Sequence, residues 1–248
     1  MSKFISIYNP NLPAGKVKHV VVSGEYPQFI DELEKCGITA VTTEACTDIM
    51  PSVQHHADML FSYLGNGDYL IEKSQLKLKE ELDKLKGFTC KDTVSLNAKY
   101  PNDILLNSCI IGDIAICCKK NVHPAYREKF KIVQVSQGYS KCSVCVVDEN
   151  SIITDDESVY SGCKNTDIDV LLVRKGSVLL NGFNYGFIGG CCGKISYDYI
   201  AFCGDIDTHC DASKIKSFLK FRNINYISLG KSELTDIGSI LPITQSKK

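Results

Sequence analysis

Five short polar segments carry the side chains with chemistry to offer. His55-His56-Ala57-Asp58 sets an imidazole two residues from a carboxylate, a spacing suited to proton transfer or to weak metal ligation. Tyr100-Pro101-Asn102-Asp103 adds an amide and a second acid. Gly138-Tyr139-Ser140-Lys141-Cys142 joins a phenol, an ammonium and a thiol, and Gly189-Gly190-Cys191-Cys192-Gly193 places two thiols in a glycine-rich turn. Leu234-Thr235-Asp236-Ile237-Gly238-Ser239 ends the series with an acid and a hydroxyl. A thiol near a cation and an acid–base pair is the equipment of nucleophilic catalysis, because the thiolate is the reactive form. Carboxylates grip cationic ligands through charge-assisted hydrogen bonds. Taken singly, each of these residues reads as a solvated strand end or a turn hydrogen-bonder; their weight comes from occurring as a set.

Strand alternation sharpens the expectations. On a strand, Cys142 and Cys145 point to opposite faces, so Cys142-Ser143-Val144-Cys145 predicts neither a disulfide nor a shared metal, and Cys145 belongs to the core. The same rule turns only one of Lys141 and Cys142 inward, lets only one of Cys191 and Cys192 face a pocket, and puts His56 and Asp58 on one face. The glycine-rich turn lacks the Gly-Lys-Ser/Thr ending of a phosphate-binding loop, so tight backbone packing is expected there. With no second histidine-rich cluster, neither a metal nor another cofactor is expected. His209 is placed to cap or orient a helix, and Asp155-Asp156-Glu157 favours a helix N-terminus.

The elements that must position these groups recur in one order: helix, apolar strand, polar segment, strand–turn–strand. PQFIDELEKCG, residues 27–37, has helical periodicity and stops at Gly37; ITAVTT, the His56 segment, MLFSYL, the turn Gly65-Asn66-Gly67-Asp68 and YLIE follow. KSQLKLKEELDKLKG begins a second round, in which ILLNSCII is expected as the strand after Asp103. The polar segments recur at 45, 38, 50 and 45 residues, measured at Asp58, Asp103, Lys141, Cys191 and Asp236. A period of this size marks a repeat architecture. The fifth round lacks its last strand, and the N-terminal run over 16–24 has no round of its own. The two are expected to complete each other, closing a ring that leaves no edge unpaired. The expectation is one α/β domain over 1–248 with repeats 25–72, 73–120, 121–155, 156–204 and 205–248, whose polar segments converge on a central axis.

Composition sets outer bounds. A chain of 248 residues buries a large core without staples, and a net charge of −1 argues against nucleic acid. No stretch approaches the ~18 apolar residues of a membrane span, and Met1 to Pro10 lacks a secretory pattern. The thirteen cysteines are odd in number and several sit in apolar runs, so most are read as small core hydrophobes in a reducing cytoplasm.

Five ββαβ-like units with polar residues at the axis resemble the pentein fold, a five-fold pseudo-symmetric α/β propeller, of the guanidino-group-modifying enzymes. HHADML, QGYSKCSVCVVDENSIITDDE, NYGFIGGCCGKI and LTDIGSILPI resemble an uncharacterised family of that fold. The resemblance implies an axial pocket for a small polar, guanidino-like molecule. It also implies, if the chain is an enzyme, a cysteine-dependent amidinohydrolase, deiminase or amidinotransferase-like activity. Cys142 or Cys192 would be the nucleophile, His56 the proton shuttle, and Asp58, Asp103 and Asp236 the cation grip, with Asn102, Tyr139, Lys141, Cys191 and Ser239 around the ligand. Enzymes of that fold carry the cysteine in the last unit and His-x-Asp or His-x-Glu in the one before; here His56-Ala57-Asp58 lies in the first unit and Ser239 stands in the last. The alternative is a non-catalytic assembly protein like the ribosome anti-association branch of the fold. A protein partner or homo-oligomer stays open.

Overall fold

The computed structural model describes residues 4–247. The chain begins with β1 (Phe4–Ser6), β2 (Val17–Ser23), α1 (Pro27–Lys35) and β3 (Thr39–Thr43), then a single helical turn, α2 (Ala57–Leu60). Four complete units follow in one order. They are β4 (Phe61–Gly65), β5 (Asp68–Glu72), α3 (Leu76–Asp83) and β6 (Thr89–Val94); β7 (Cys109–Ile111), β8 (Ile114–Cys118), α4 (Pro124–Lys129) and β9 (Lys131–Val135); β10 (Val144–Asp148), β11 (Ser151–Thr154), α5 (Glu157–Gly162) and β12 (Asp169–Leu172); β13 (Cys192–Ser196), β14 (Tyr199–Phe202), α6 (Ala212–Phe221) and β15 (Asn225–Ser228). The last strand is β16 (Leu241–Ser246).

In each complete unit the first two strands form an antiparallel hairpin, and the third returns through the helix to lie parallel to the second. The fifth unit is assembled from both ends of the chain. β16 pairs antiparallel with β2, β3 lies parallel to β2, and β1 adds to the far side of β16. The five sheets stay separate, so closure does not remove every edge: β3, β6, β9, β12 and β15 each end their sheet. Water serves such an edge where its side chains are polar, as Lys91 and Asp92 of β6 are.

A strand apolar at every position must be covered on both faces. Along β10, Val144 and Val146 join a cluster with Ile152 and Val159, whereas Cys145 and Val147 join the next one with Ile200 and Phe202. Along β8, Ala115 and Cys117 face one neighbouring unit and Ile116 the other. The core is therefore shared between successive units rather than lodged within each. Helix ends repeat as well. After α1, Gly37 at φ +76° lets Ile38 donate to the Leu33 carbonyl; after α6, Asn223 at φ +56° lets Ile224 donate to that of Leu219.

Two local expectations change. The run over 104–111 is strand only from Cys109, because Ile104 to Ser108 fold into turns closed by Asn107 N–H to Ile104 and Ser108 N–H to Leu106. His56 and Asp58 do not share a strand face: His56 precedes α2 and Asp58 lies in its turn.

Candidate functional site

The chain turns sharply just ahead of each inner strand, and these turns are sewn to one another around the axis. Asp58 N–H donates to Gly238 O at 3.1 Å, and Ile237 and Ser239 N–H both donate to Gly190 O, at 3.1 and 2.8 Å. Asn107 joins three units: its amide donates to Asp58 O at 3.0 Å and accepts from Lys141 N–H at 2.8 Å and Cys142 N–H at 3.4 Å. Two glycines permit the closeness. A Cβ on Gly190 would stand 2.0 Å from Asp236 Oδ1; one on Gly238, at φ +77°, would stand 2.4 Å from His56 Cβ.

Cys142 Sγ lies 3.1 and 3.0 Å from the two carboxylate oxygens of Asp58 and accepts from Asn107 Nδ2 at 3.2 Å. On the other flank of Asp58, Ser239 Oγ is 2.6 Å from Oδ2 and itself receives Lys141 Nζ at 3.0 Å. The result is a buried relay in which Lys141 donates to Ser239, and Ser239 and the Cys142 thiol both approach Asp58. His56 is fully buried, and neither ring nitrogen has a hydrogen-bond partner; its Nδ1 is 3.7 Å from Asp236 Oδ1, beyond hydrogen-bonding reach. Asp236 accepts from Phe187 N–H at 2.9 Å and Gly238 N–H at 3.0 Å.

Burial governs the charges. It pushes the Cys142 thiol well up, and the charges of Asp58 and Asp236 push it further. Burial also raises Asp58, against the opposing pull of His56 and Lys141, and lowers His56. Asp236 is pushed up to about 6 by burial, partly offset by its two backbone donors. Burial opposes the Lys141 ammonium, yet the surrounding acidic groups, Cys109, Cys192, Asp58 and Cys142, raise its pKa overall. Two acids, Asp58 and Asp236, and one lysine, Lys141, thus share the buried centre.

Two spaces border this centre. A pocket of about 300 Å³ has His56, Cys142 and Asp236 at its floor and Tyr139, Phe183, Tyr185 and Phe187 on its walls. On the other side, Asp58 and Lys141 border a space of about 20 Å³, room for a single water. His56, Asp58 and Cys142 each offer a ligand atom within 4.8 Å of the others, the one group among the described residues that could hold a metal ion.

Over residues 21–241 the sequence matches the profile described as Family of unknown function (DUF6873). The chain belongs to the DUF6873 family. No curated protein matches it. Among solved structures, this DUF6873 chain is similar to inosamine-phosphate amidinotransferase from Streptomyces griseus, with TM-score 0.61, 9% identity, and 98% of this chain and 97% of that one covered. It is similar to an amidinotransferase of the saxitoxin biosynthetic pathway from Microseira wollei, with TM-score 0.59, 10% identity, and 90% and 91% covered. A DDAH mutant from Pseudomonas aeruginosa, complexed with citrulline, gives TM-score 0.54 at 8% identity over 94% and 100%. Likeness at such identities concerns fold, and the DUF6873 chain has the pentein fold.

Within the DUF6873 chain, His56, Asp58, Lys141, Cys142, Asp236 and Ser239 come together at the axis, with Tyr139 on the pocket wall. Lys141 and Cys142 both turn inward, contrary to strand alternation. They sit in a turn, closed by Ser143 N–H to Tyr139 O at 3.0 Å, that precedes β10. Asp103 stands behind the wall, accepting from Tyr139 Oη at 2.7 Å, and Asn102 is an exposed turn residue. Neither Cys191 nor Cys192 lines the pocket; both are packed in the core between the third and fourth units, their sulfurs directed at Ile188 O and Gly189 O. Asn107 was not among the expected site residues. Its signal is positional, since Asn107, Cys142 and Ser239 each stand two residues ahead of an inner strand. The aromatic wall over 183–187 gave no periodic signal.

Proposed function

We propose that the axial pocket binds a small guanidinium- or amidinium-type cation and that Cys142 attacks its central carbon. The observation that carries this is the Cys142 thiol held 3.0 Å from Asp58 at the floor of a pocket that the unpartnered His56 ring also lines. At rest the thiol keeps its proton. An arriving cation places positive charge beside the sulfur and so favours the thiolate, which couples activation to ligand entry. Asp58 or His56 takes the thiol proton as the C–S bond forms. One C–N bond then breaks, and the proton leaves on the departing amine. This yields a thiouronium intermediate, which water or a second amine resolves, regenerating the thiol. The structural relatives named as amidinotransferases support this class of chemistry on the same fold.

The test is single-turnover incubation with a panel of guanidines, with intact-mass detection of the adduct and amine release as readouts. Wild type should form an adduct and release amine. Cys142→Ser should do neither while still binding the cation by calorimetry. Turnover that survives Cys142→Ser rejects the thiol role; binding without adduct or turnover in wild type leaves a cation-binding protein without this chemistry.

A further inference from the structure

The floor and walls of the axial pocket differ in chemistry. Above His56, Cys142 and Asp236 rise the rings of Tyr139, Phe183, Tyr185 and Phe187, and the remaining polar lining side chain is the neutral Asn184. Among the described residues, no lysine or arginine lines the space. The nearest ammonium in the relay, Lys141, is turned away from it, bonded to Ser239 Oγ at 3.0 Å and facing the small space on the far side. A carboxylate carried by a ligand would enter beside Asp236 and meet no cation. An apolar substituent would meet aromatic surface that now faces water: Phe183 and Tyr185 are 48% and 37% exposed.

The wall is pre-set rather than loose. Leu179 N–H donates to Leu234 O at 2.7 Å, Gly186 N–H to Val178 O at 2.7 Å, and Phe187 N–H to the Asp236 carboxylate at 2.9 Å. Tyr185 meets Phe187 edge-on at 6.4 Å, and Tyr139 lies tilted against Phe187 at 6.3 Å. The acid at the floor thus also fixes the ring above it. Rings held in place around a cation add the attraction of their faces to hydrophobic contact.

We infer that the ligand is a carboxylate-free cation whose guanidinium or amidinium head carries an alkyl or aryl substituent, and that Phe183 and Tyr185 select that substituent. The inference rests on the floor reading above and narrows it. By the same lining, an amino-acid ligand such as arginine should bind more weakly.

Calorimetric titration with benzylguanidine, butylguanidine and arginine tests it, repeated on the Phe183→Ala/Tyr185→Ala variant after confirming an unchanged melting temperature. Benzylguanidine should bind wild type at least about tenfold more tightly than arginine, and the double variant should lose most of that preference. Arginine binding as tightly as benzylguanidine overturns the inference while leaving the floor reading intact. A preference undiminished in the variant overturns the role of the two rings. Binding by none of the three compounds removes the floor reading and this inference together.

Discussion

A thiol pressed against a buried carboxylate is a protonated thiol, and the same burial that keeps it so also raises the pKa of its acidic neighbours, Asp58 and Asp236. Asp236, raised to about 6 from its ordinary 3.8, binds more protons folded than unfolded between those values. Its contribution to stability therefore falls as pH rises through that window. Asp236→Asn cannot titrate. It loses at least one of the two backbone contacts at every pH, but relative to wild type its stability should climb between pH 4 and 6, by up to about 3 kcal/mol. Urea denaturation at a series of pH values measures this, and a pH-independent difference would show that Asp236 titrates normally. Asn107 makes a different demand. Asn107→Ala leaves the buried N–H groups of Lys141 and Cys142 without their acceptor, at an expected cost of roughly 2–4 kcal/mol in chemical denaturation.

At the level of elements, two glycines with similar backbone angles separate strain from crowding. Gly37 ends α1 at φ +76° with nothing within 4 Å of an added Cβ, so Gly37→Ala should cost about 1 kcal/mol. Gly238 has φ +77° as well, but its added Cβ would collide with His56, so Gly238→Ala should cost well over twice as much and displace the imidazole. Thermal melts of the two variants, compared side by side, check the ordering. Helix α1 and its stop were legible because apolar spacing and Gly37 encode them locally. The turn before β10 was not. Its form rests on Asn107, a partner 34 residues away that accepts the Lys141 N–H, and a rule for isolated strands cannot see that partner. This is why Lys141 and Cys142 seemed to exclude one another from the centre. Asn107 itself was hidden for a related reason: its apolar neighbours suggested unbroken strand where the chain turns.

For the molecule as a whole, the five-fold architecture was legible because inner strands such as β8 and β10 are covered on both faces and are apolar along most of their length, which makes the repeat visible as a period. Pocket walls follow no period, and Phe183, Tyr185 and Phe187 lie in a segment whose position only tertiary contacts define. β2 covers β16 and buries Val17, Val20, Val21 and Val22. Deleting residues 1–23 should therefore abolish the cooperative transition of the entire chain and not just the fifth unit; circular dichroism and size exclusion of the truncated protein would reveal this, and a monomer melting like wild type would contradict it. The common placement of Asn107, Cys142 and Ser239 has a further consequence. Of the three, Cys142 and Ser239 flank one fixed carboxylate, Asp58, so the atom beside that acid can be exchanged between repeats by point substitution. Exchanging the sulfur and oxygen, Cys142→Ser with Ser239→Cys, would carry the proposed nucleophile to the opposite flank of the same carboxylate, into the unit closed by β16.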